Sequence, residues 1–237
     1  MSRSGLCLLG TDTGVGKTTL GMGLLRLAKR NGVRLLPYKP VETGCTSSPT
    51  DVDRLVHAAA DPLHPAAQAG TYQFEEPIAP SIAARRTGQR IDLDVVIRRA
   101  TELVAAGASP LVETAGGVLT PYGPRLTSSS LVETLVEHFA FDVLLVTANR
   151  LGTINQTALA LAHLAGTRCR AAGVVLVDVD GVSTPDRPFN ADEIQAMTGA
   201  RILGTLRHCA TASPDAIADA VAADIDLRSV LDGALVT

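Results

Sequence analysis

The stretch LLGTDTGVGKTTLG, Leu8 to Gly21, constrains the fold of this chain more than any other. An apolar run closes at Gly10, a polar turn carries Gly14, Val15 and Gly16, and Lys17-Thr18-Thr19 opens a segment of helical character. Amides at a helix start lack intrahelical acceptors and carry partial positive charge, which suits phosphate oxygens. Gly14 and Gly16 let the backbone approach a phosphate, Lys17 faces the outer phosphates, and the Thr18 hydroxyl suits Mg2+. The usual spacing is a glycine, four residues, then Gly-Lys-Ser/Thr. Here that position is Thr11, and the glycine stands one residue earlier, at Gly10. A strand before and a helix after favour a nucleotide-binding loop over an accidental Gly-Lys-Thr.

The rest of the chain repeats the alternation. Apolar runs at 6–10, 34–39, 110–114, 142–148, 172–177 and 201–206 read as strands. Helical segments fall at 17–31, 51–59, 92–106, 128–139, 153–166, 190–199 and 214–223. Strand and helix in turn predict an α/β fold, a mostly parallel sheet with helices on both faces, of the P-loop NTPase kind. The 237 residues suit a single domain, 1–237, and 46% apolar content without tryptophan predicts a core of Ala, Val, Leu and Ile. Loose composition at 43–50 and 182–190 reads as surface loops.

A net charge of −3, from 21 basic and 24 acidic side chains, argues against general affinity for nucleic acid or anionic membrane. The opening MSRSGLCLLG is too short an apolar run for a signal peptide, and no run approaches a membrane span. Cys7, Cys45, Cys169 and Cys209 form no C-x-x-C pair, as expected of free thiols in a reducing cytoplasm.

Ligands of open α/β sheets sit at the carboxyl ends of the strands. Lys39 ends the second predicted strand, with Pro40 stopping its continuation, although a lone lysine there is more often solvated. Glu113 closes an apolar strand before Gly116-Gly117 and is a candidate Mg2+ ligand, with Asp178 after another strand as its rival. At ANRLGTINQT a second helix start follows Gly152; a carboxylate site and a plain capped helix fit it equally.

Five ordered motifs, GTDTGVGKT, YKPVETG, TYQFEEPIAPSIAA, VETAGG and NRLGTIN, together resemble the dethiobiotin synthetases. That family's loop has five residues between its glycine and Gly-Lys-Thr, which accounts for Gly10. The resemblance implies an ATP-dependent ligase of biotin biosynthesis acting on 7,8-diaminononanoate and CO2. A carbamate forms on one amine, ATP phosphorylates it, and the second amine closes the ring. It also implies Lys39 and Lys17 as the catalytic lysines, and Thr18, Asp51 and Glu113 as ligands of Mg2+. The family's D-x-x-x-L spacing to Leu55 favours Asp51 over Asp53. Nucleotide contacts fall on residues 14–19 of the loop and on Thr114, Ala115 and Gly116, with Val177, Asp178 and Arg207 near the base. Thr13, Thr43, Gly116 and Gly117 would meet the diamine. Gly152, Thr153, Ile154 and Asn155 would hold the substrate carboxylate across a homodimer interface.

This chain departs from that pattern at four places. Thr114 stands where a glycine is usual, and Gly14 where some members have Glu. Val177 stands in place of a common Asn, and Arg207 in place of a frequent Pro. Valine cannot pair with an adenine edge, so base selectivity falls to backbone groups, Asp178 or Arg207. A partitioning-type ATPase switch is the competing class, but the position of its extra loop lysine is Asp12 here. A cobyrinate-synthetase-type amidotransferase would need an added glutaminase domain, for which this chain ends too soon.

Overall fold

Strand β1 (Gly5–Gly10) sends Leu6 and Leu8 to one face of a sheet and Cys7 and Leu9 to the other, all fully buried. An apolar run with period two and no polar face belongs in the middle of a parallel sheet covered on both sides. The computed structural model, which describes residues 5–209 and 212–227, places it there.

After β1 the chain forms α1 (Lys17–Arg30), β2 (Leu35–Thr43), α2 (Asp51–Ala59), α3 (Ala66–Ala69), β3 (Gly70–Phe74), α4 (Pro80–Arg86) and α5 (Leu93–Ala105). It continues through β4 (Ser109–Gly117), β5 (Pro121–Gly123), β6 (Leu126–Thr127), α6 (Ser128–His138), β7 (Phe141–Ala148) and α7 (Thr153–Ala165). Then come β8 (Gly173–Val177), α8 (Arg187–Thr198), β9 (Ile202–Leu206) and α9 (Pro214–Asp224). Seven strands form one parallel sheet in the order β3-β2-β4-β1-β7-β8-β9, and β5 and β6 make a separate antiparallel hairpin.

Two apolar layers flank the sheet. Leu20, Leu24, Leu25 and Ala28 of α1, Leu55 of α2 and Val221 of α9 cover the face carrying Leu8, Leu144 and Val175. Val96 and Ala100 of α5, Leu131 and Leu135 of α6, Leu164 of α7 and Ile194 of α8 cover the face carrying Cys7, Val143 and Leu176. Truncating one such leucine to alanine costs about 2–5 kcal/mol, because packed neighbours collapse only partly into the space.

The second strand does not stop at Lys39. It pairs with β4 through Leu35–Tyr38 and with β3 from Lys39 to Thr43, and Pro40 falls where it needs no ladder partner. Leu36, Tyr38 and Val41 all reach the same apolar layer, so the alternation slips by one residue across Pro40. The third predicted strand likewise runs on from Thr114 to Gly117. Helix α8 starts at Arg187 rather than 190, with a proline in its first turn pre-set for helical φ.

Candidate active site

The carboxyl ends of β1, β2, β4 and β8 open on a cavity of about 720 Å3. Thr13, Gly14, Gly16, Lys17, Thr18, Thr19, Lys39, Thr43, Asp51, Glu113, Thr114, Ala115, Gly116, Val177 and Asp178 all line it. Arg54, residues 77–80, His208 and Cys209 also line it. Residues 77–80 belong to the TYQFEEPIAPSIAA motif, but neither they nor Arg54, His208 and Cys209 were expected as site residues. Val15 lies buried beneath the loop, and Gly117 lines a second, smaller hollow with Thr11 and Asp12.

The loop is held by close backbone approaches. Gly14 and Gly16 have φ of 71° and 93°, a left-handed conformation that favours glycine. A Cβ on Gly10 would lie 2.5 Å from the Lys17 ammonium, and one on Gly117 would lie 2.6 Å from the Thr11 carbonyl oxygen. Lys17 donates to the carbonyls of Asp12 at 2.9 Å and Gly116 at 2.8 Å. Burial pushes its pKa down to about 8; Glu113 opposes that shift and Lys39 adds to it.

Lys39 is buried with acids on two sides. Its ammonium donates to Asp51 Oδ2 at 2.5 Å and to Glu113 Oε1 at 2.7 Å, and the Thr18 hydroxyl donates to the same Glu113 oxygen at 2.9 Å. Burial opposes the charge on Lys39, but Glu113 and Asp51 outweigh it and hold the lysine above its ordinary pKa. Burial likewise works against the Asp51 charge, yet the Lys39 ammonium holds that carboxyl below its ordinary value.

Asp51 and Asp53 separate cleanly. Asp53 Oδ2 accepts the Thr50 N–H at 2.9 Å, while Thr50 Oγ1 accepts the Asp53 N–H at 3.2 Å, a capping box that turns Asp53 away from Lys39. The amides of Asp51 and Val52 donate instead to Glu42, at 2.7 and 3.3 Å. Glu42 is buried on β2 and lines the cavity. It was missed in the sequence, where an acid beside Lys39 in YKPVETG was the available signal.

Thr114 fits the sheet without strain. Its buried hydroxyl donates to the Leu8 carbonyl at 3.1 Å, inside a strand rather than in a tight turn. The next residue, Ala115, donates its N–H to Tyr122 Oη at 2.8 Å, so the β5–β6 hairpin braces the end of β4.

The expected base region is rearranged. Val177 packs against the loop, and a Cβ on Gly16 would meet its Cγ1 at 2.6 Å. Asp178 accepts from Asn149 Nδ2 at 2.9 Å and lies 3.6 Å from Arg187, away from Glu113 and Lys39 in the bonding pattern. Arg207 does not reach the cavity, because its guanidinium and amide both bond Asp224 at the end of α9. Gly152, Thr153, Ile154 and Asn155 also lie outside it. Gly152 starts α7 with φ of 93° and no side-chain cap, the same geometry as Gly16 at the start of α1. The Thr153 side chain is buried on Thr147 at 2.8 Å, and Thr147 in turn bonds Thr11 and Thr157.

Residues 4–216 match a family described as AAA domain. An ATP-dependent dethiobiotin synthetase BioD of Anaeromyxobacter sp. (strain Fw109-5) is 36% identical over 86% of this chain and 90% of its own length. This chain belongs to the dethiobiotin synthetase family. A dethiobiotin synthetase of Bacillus licheniformis is 29% identical over 96% of both chains. Similarity of fold reaches further than the dethiobiotin synthetases. A ParA family ATPase of Chlorobium tepidum aligns over the full length of both chains with a TM-score of 0.54 and 13% identity. The MinC:MinD complex of Aquifex aeolicus gives a TM-score of 0.54 at 14% identity, covering 92% of this chain and 86% of that one. Among the described residues, no helix is long and apolar enough to cross a membrane.

Proposed function

We propose that this chain closes 7,8-diaminononanoate and CO2 to dethiobiotin at the expense of ATP, in biotin biosynthesis. The observation that carries the reading is the meeting of the loop residues Lys17 and Thr18 with Lys39, Asp51 and Glu113 in one cavity. The named relatives support the same reaction.

One amine attacks CO2, forming an N–C bond and losing a proton. The carbamate oxygen then attacks the γ-phosphorus as ADP leaves. The second amine attacks the carbamoyl carbon, phosphate departs with the C–O bond, and the cyclic urea closes. Two anionic oxygens must approach in the phosphoryl step, so fixed positive charge is the main requirement. Lys39 supplies it at a set position, because Asp51 and Glu113 hold its ammonium charged. Lys17 rests on two neutral carbonyls, which it can exchange for phosphate oxygens without breaking an ion pair. Thr13, Thr43 and Gly116 line the same cavity where the diamine would lie.

Thr18, Asp51 and Glu113 form an all-oxygen donor set, the kind a hard divalent cation takes. Glu113 Oε2 is buried without a hydrogen-bond partner, an orphan that such a cation would satisfy. These residues fit Mg2+, which would neutralise charge on the triphosphate.

A homodimer would let the uncapped start of α7 face the substrate carboxylate of a second subunit, since it does not face its own cavity. A cytoplasmic location accords with Cys7, Cys45, Cys169 and Cys209 all being free thiols. The partitioning-type switch draws only on similarity of fold. The deciding experiment follows phosphate release with diaminononanoate and bicarbonate, with dethiobiotin detected by mass. Release independent of the diamine overturns the reading.

A further inference from the structure

Helix α2 is anchored at its start by a second group besides its cap. The capping box of Thr50 and Asp53 already satisfies the Asp53 amide. The two remaining first-turn amides, of Asp51 and Val52, go to a carboxylate from another element, Glu42 of β2. That carboxylate is buried close to Asp51, an arrangement that costs free energy by desolvation and like charge.

The geometry gives the costly arrangement a purpose. Lys39 and Glu42 sit three residues apart on β2, and the slip across Pro40 turns both toward α2. Lys39 takes the Asp51 side chain at 2.5 Å, and Glu42 takes the Asp51 backbone at 2.7 Å. One strand therefore fixes Asp51 at both ends, leaving its carboxylate little freedom to turn.

We propose that Glu42 is a positioning residue, anchoring the first turn of α2 so that the Asp51 carboxylate is held toward the divalent-cation site. This rests on the reading of Asp51 as a cation ligand made above. Groups behind a ligand commonly set how well it binds, because they hold it in the bonding orientation.

The test uses Mn2+ as the probe and ADP as the nucleotide, so that no turnover is involved, with free Mn2+ read by electron paramagnetic resonance. Glu42→Ala is expected to weaken Mn2+ binding about tenfold, in the range found for such supporting groups. Glu42→Gln keeps one acceptor oxygen and is expected to fall between Glu42→Ala and the unaltered protein. Thr50→Ala removes the helix cap but not the anchor, so it should lower Tm and leave Mn2+ affinity in place. Equal affinity in Glu42→Ala and the unaltered protein overturns the proposal, as does an equal loss in Thr50→Ala. If Glu42→Ala does not fold, unchanged affinity in Glu42→Gln overturns it. Asp51→Asn separates the two readings. No effect there removes Asp51 as a ligand, whereas a loss there without one at Glu42 removes only the anchor.

Discussion

Val177 occupies the space in which a side chain on Gly16 would lie, with Cγ1 at 2.6 Å from the missing Cβ. The last residue of β8 therefore forms the support under the phosphate loop, where Gly16 has a left-handed backbone.

Gly16→Ala is accordingly expected to cost about 1–2 kcal/mol from the left-handed conformation alone, with the collision against Val177 added. Nucleotide affinity should fall along with Tm. Val177→Ala in the same chain removes both Cγ contacts but leaves the Val177 Cβ at 2.9 Å and the backbone strain in place, so it should recover part of the loss. Thermal unfolding of the two single variants and the double variant checks this; full additivity would show that the contact carries no energy.

Base selectivity follows from the same valine. With Val177 packed under the loop and Arg207 bonded to Asp224, Asp178 is the carboxylate of that region that lines the cavity, beside His208 and Cys209. A carboxylate accepts from an exocyclic amino group and repels a carbonyl. ATP and CTP are expected to be used within about tenfold of each other, a gap of ~1.4 kcal/mol, and UTP more poorly. Comparing kcat/KM for ATP, CTP, GTP and UTP checks it. A preference for ATP above about a hundredfold over all three, ~2.7 kcal/mol, would assign adenine reading to the backbone.

Lys17→Ala should lower kcat about a hundredfold or more, because a preorganised charge at the transferring phosphoryl group is lost. Near-normal turnover in this variant would remove the loop from the chemistry.

Asp51 and Asp53, two residues apart, should respond in different currencies. Asp51→Asn is expected to raise the Mg2+ concentration needed for turnover and, because it takes one counter-charge from buried Lys39, to lower Tm as well. Asp53→Ala breaks the capping box and should cost up to about 1 kcal/mol of stability, with the Mg2+ titration unmoved. Mg2+ titrations and melting curves on both variants decide, and the reverse assignment would follow from the reverse result.

The central strands were legible because burial on both faces writes uninterrupted apolar runs such as LLVTA before Asn149. Edge strand β3, with one neighbour and a largely half-exposed GTYQF, leaves no such run, and the short β5–β6 hairpin leaves none either. Lys17, Lys39, Asp51 and Glu113, which share one cavity, were legible as candidates through the motifs around them. Glu42 was not, because its partners are backbone amides, and an amide carries no letter in the sequence. That Arg207 lies outside the cavity was illegible for a related reason: its partner, Asp224, lies on a helix whose docking against β9 is a tertiary fact.

Thr147 has a consequence for how such a chain drifts over time. Its one hydroxyl serves Thr11, Thr153 and Thr157 together, and Thr147, Thr153 and Thr157 are fully buried. Losing Thr147 takes that partner from three hydroxyls at once, whereas losing Thr11, Thr153 or Thr157 leaves Thr147 bonded to the other two. Thr147 is therefore the member of the four whose exchange alone unsettles its neighbours, and its three partners can each be exchanged singly at smaller cost.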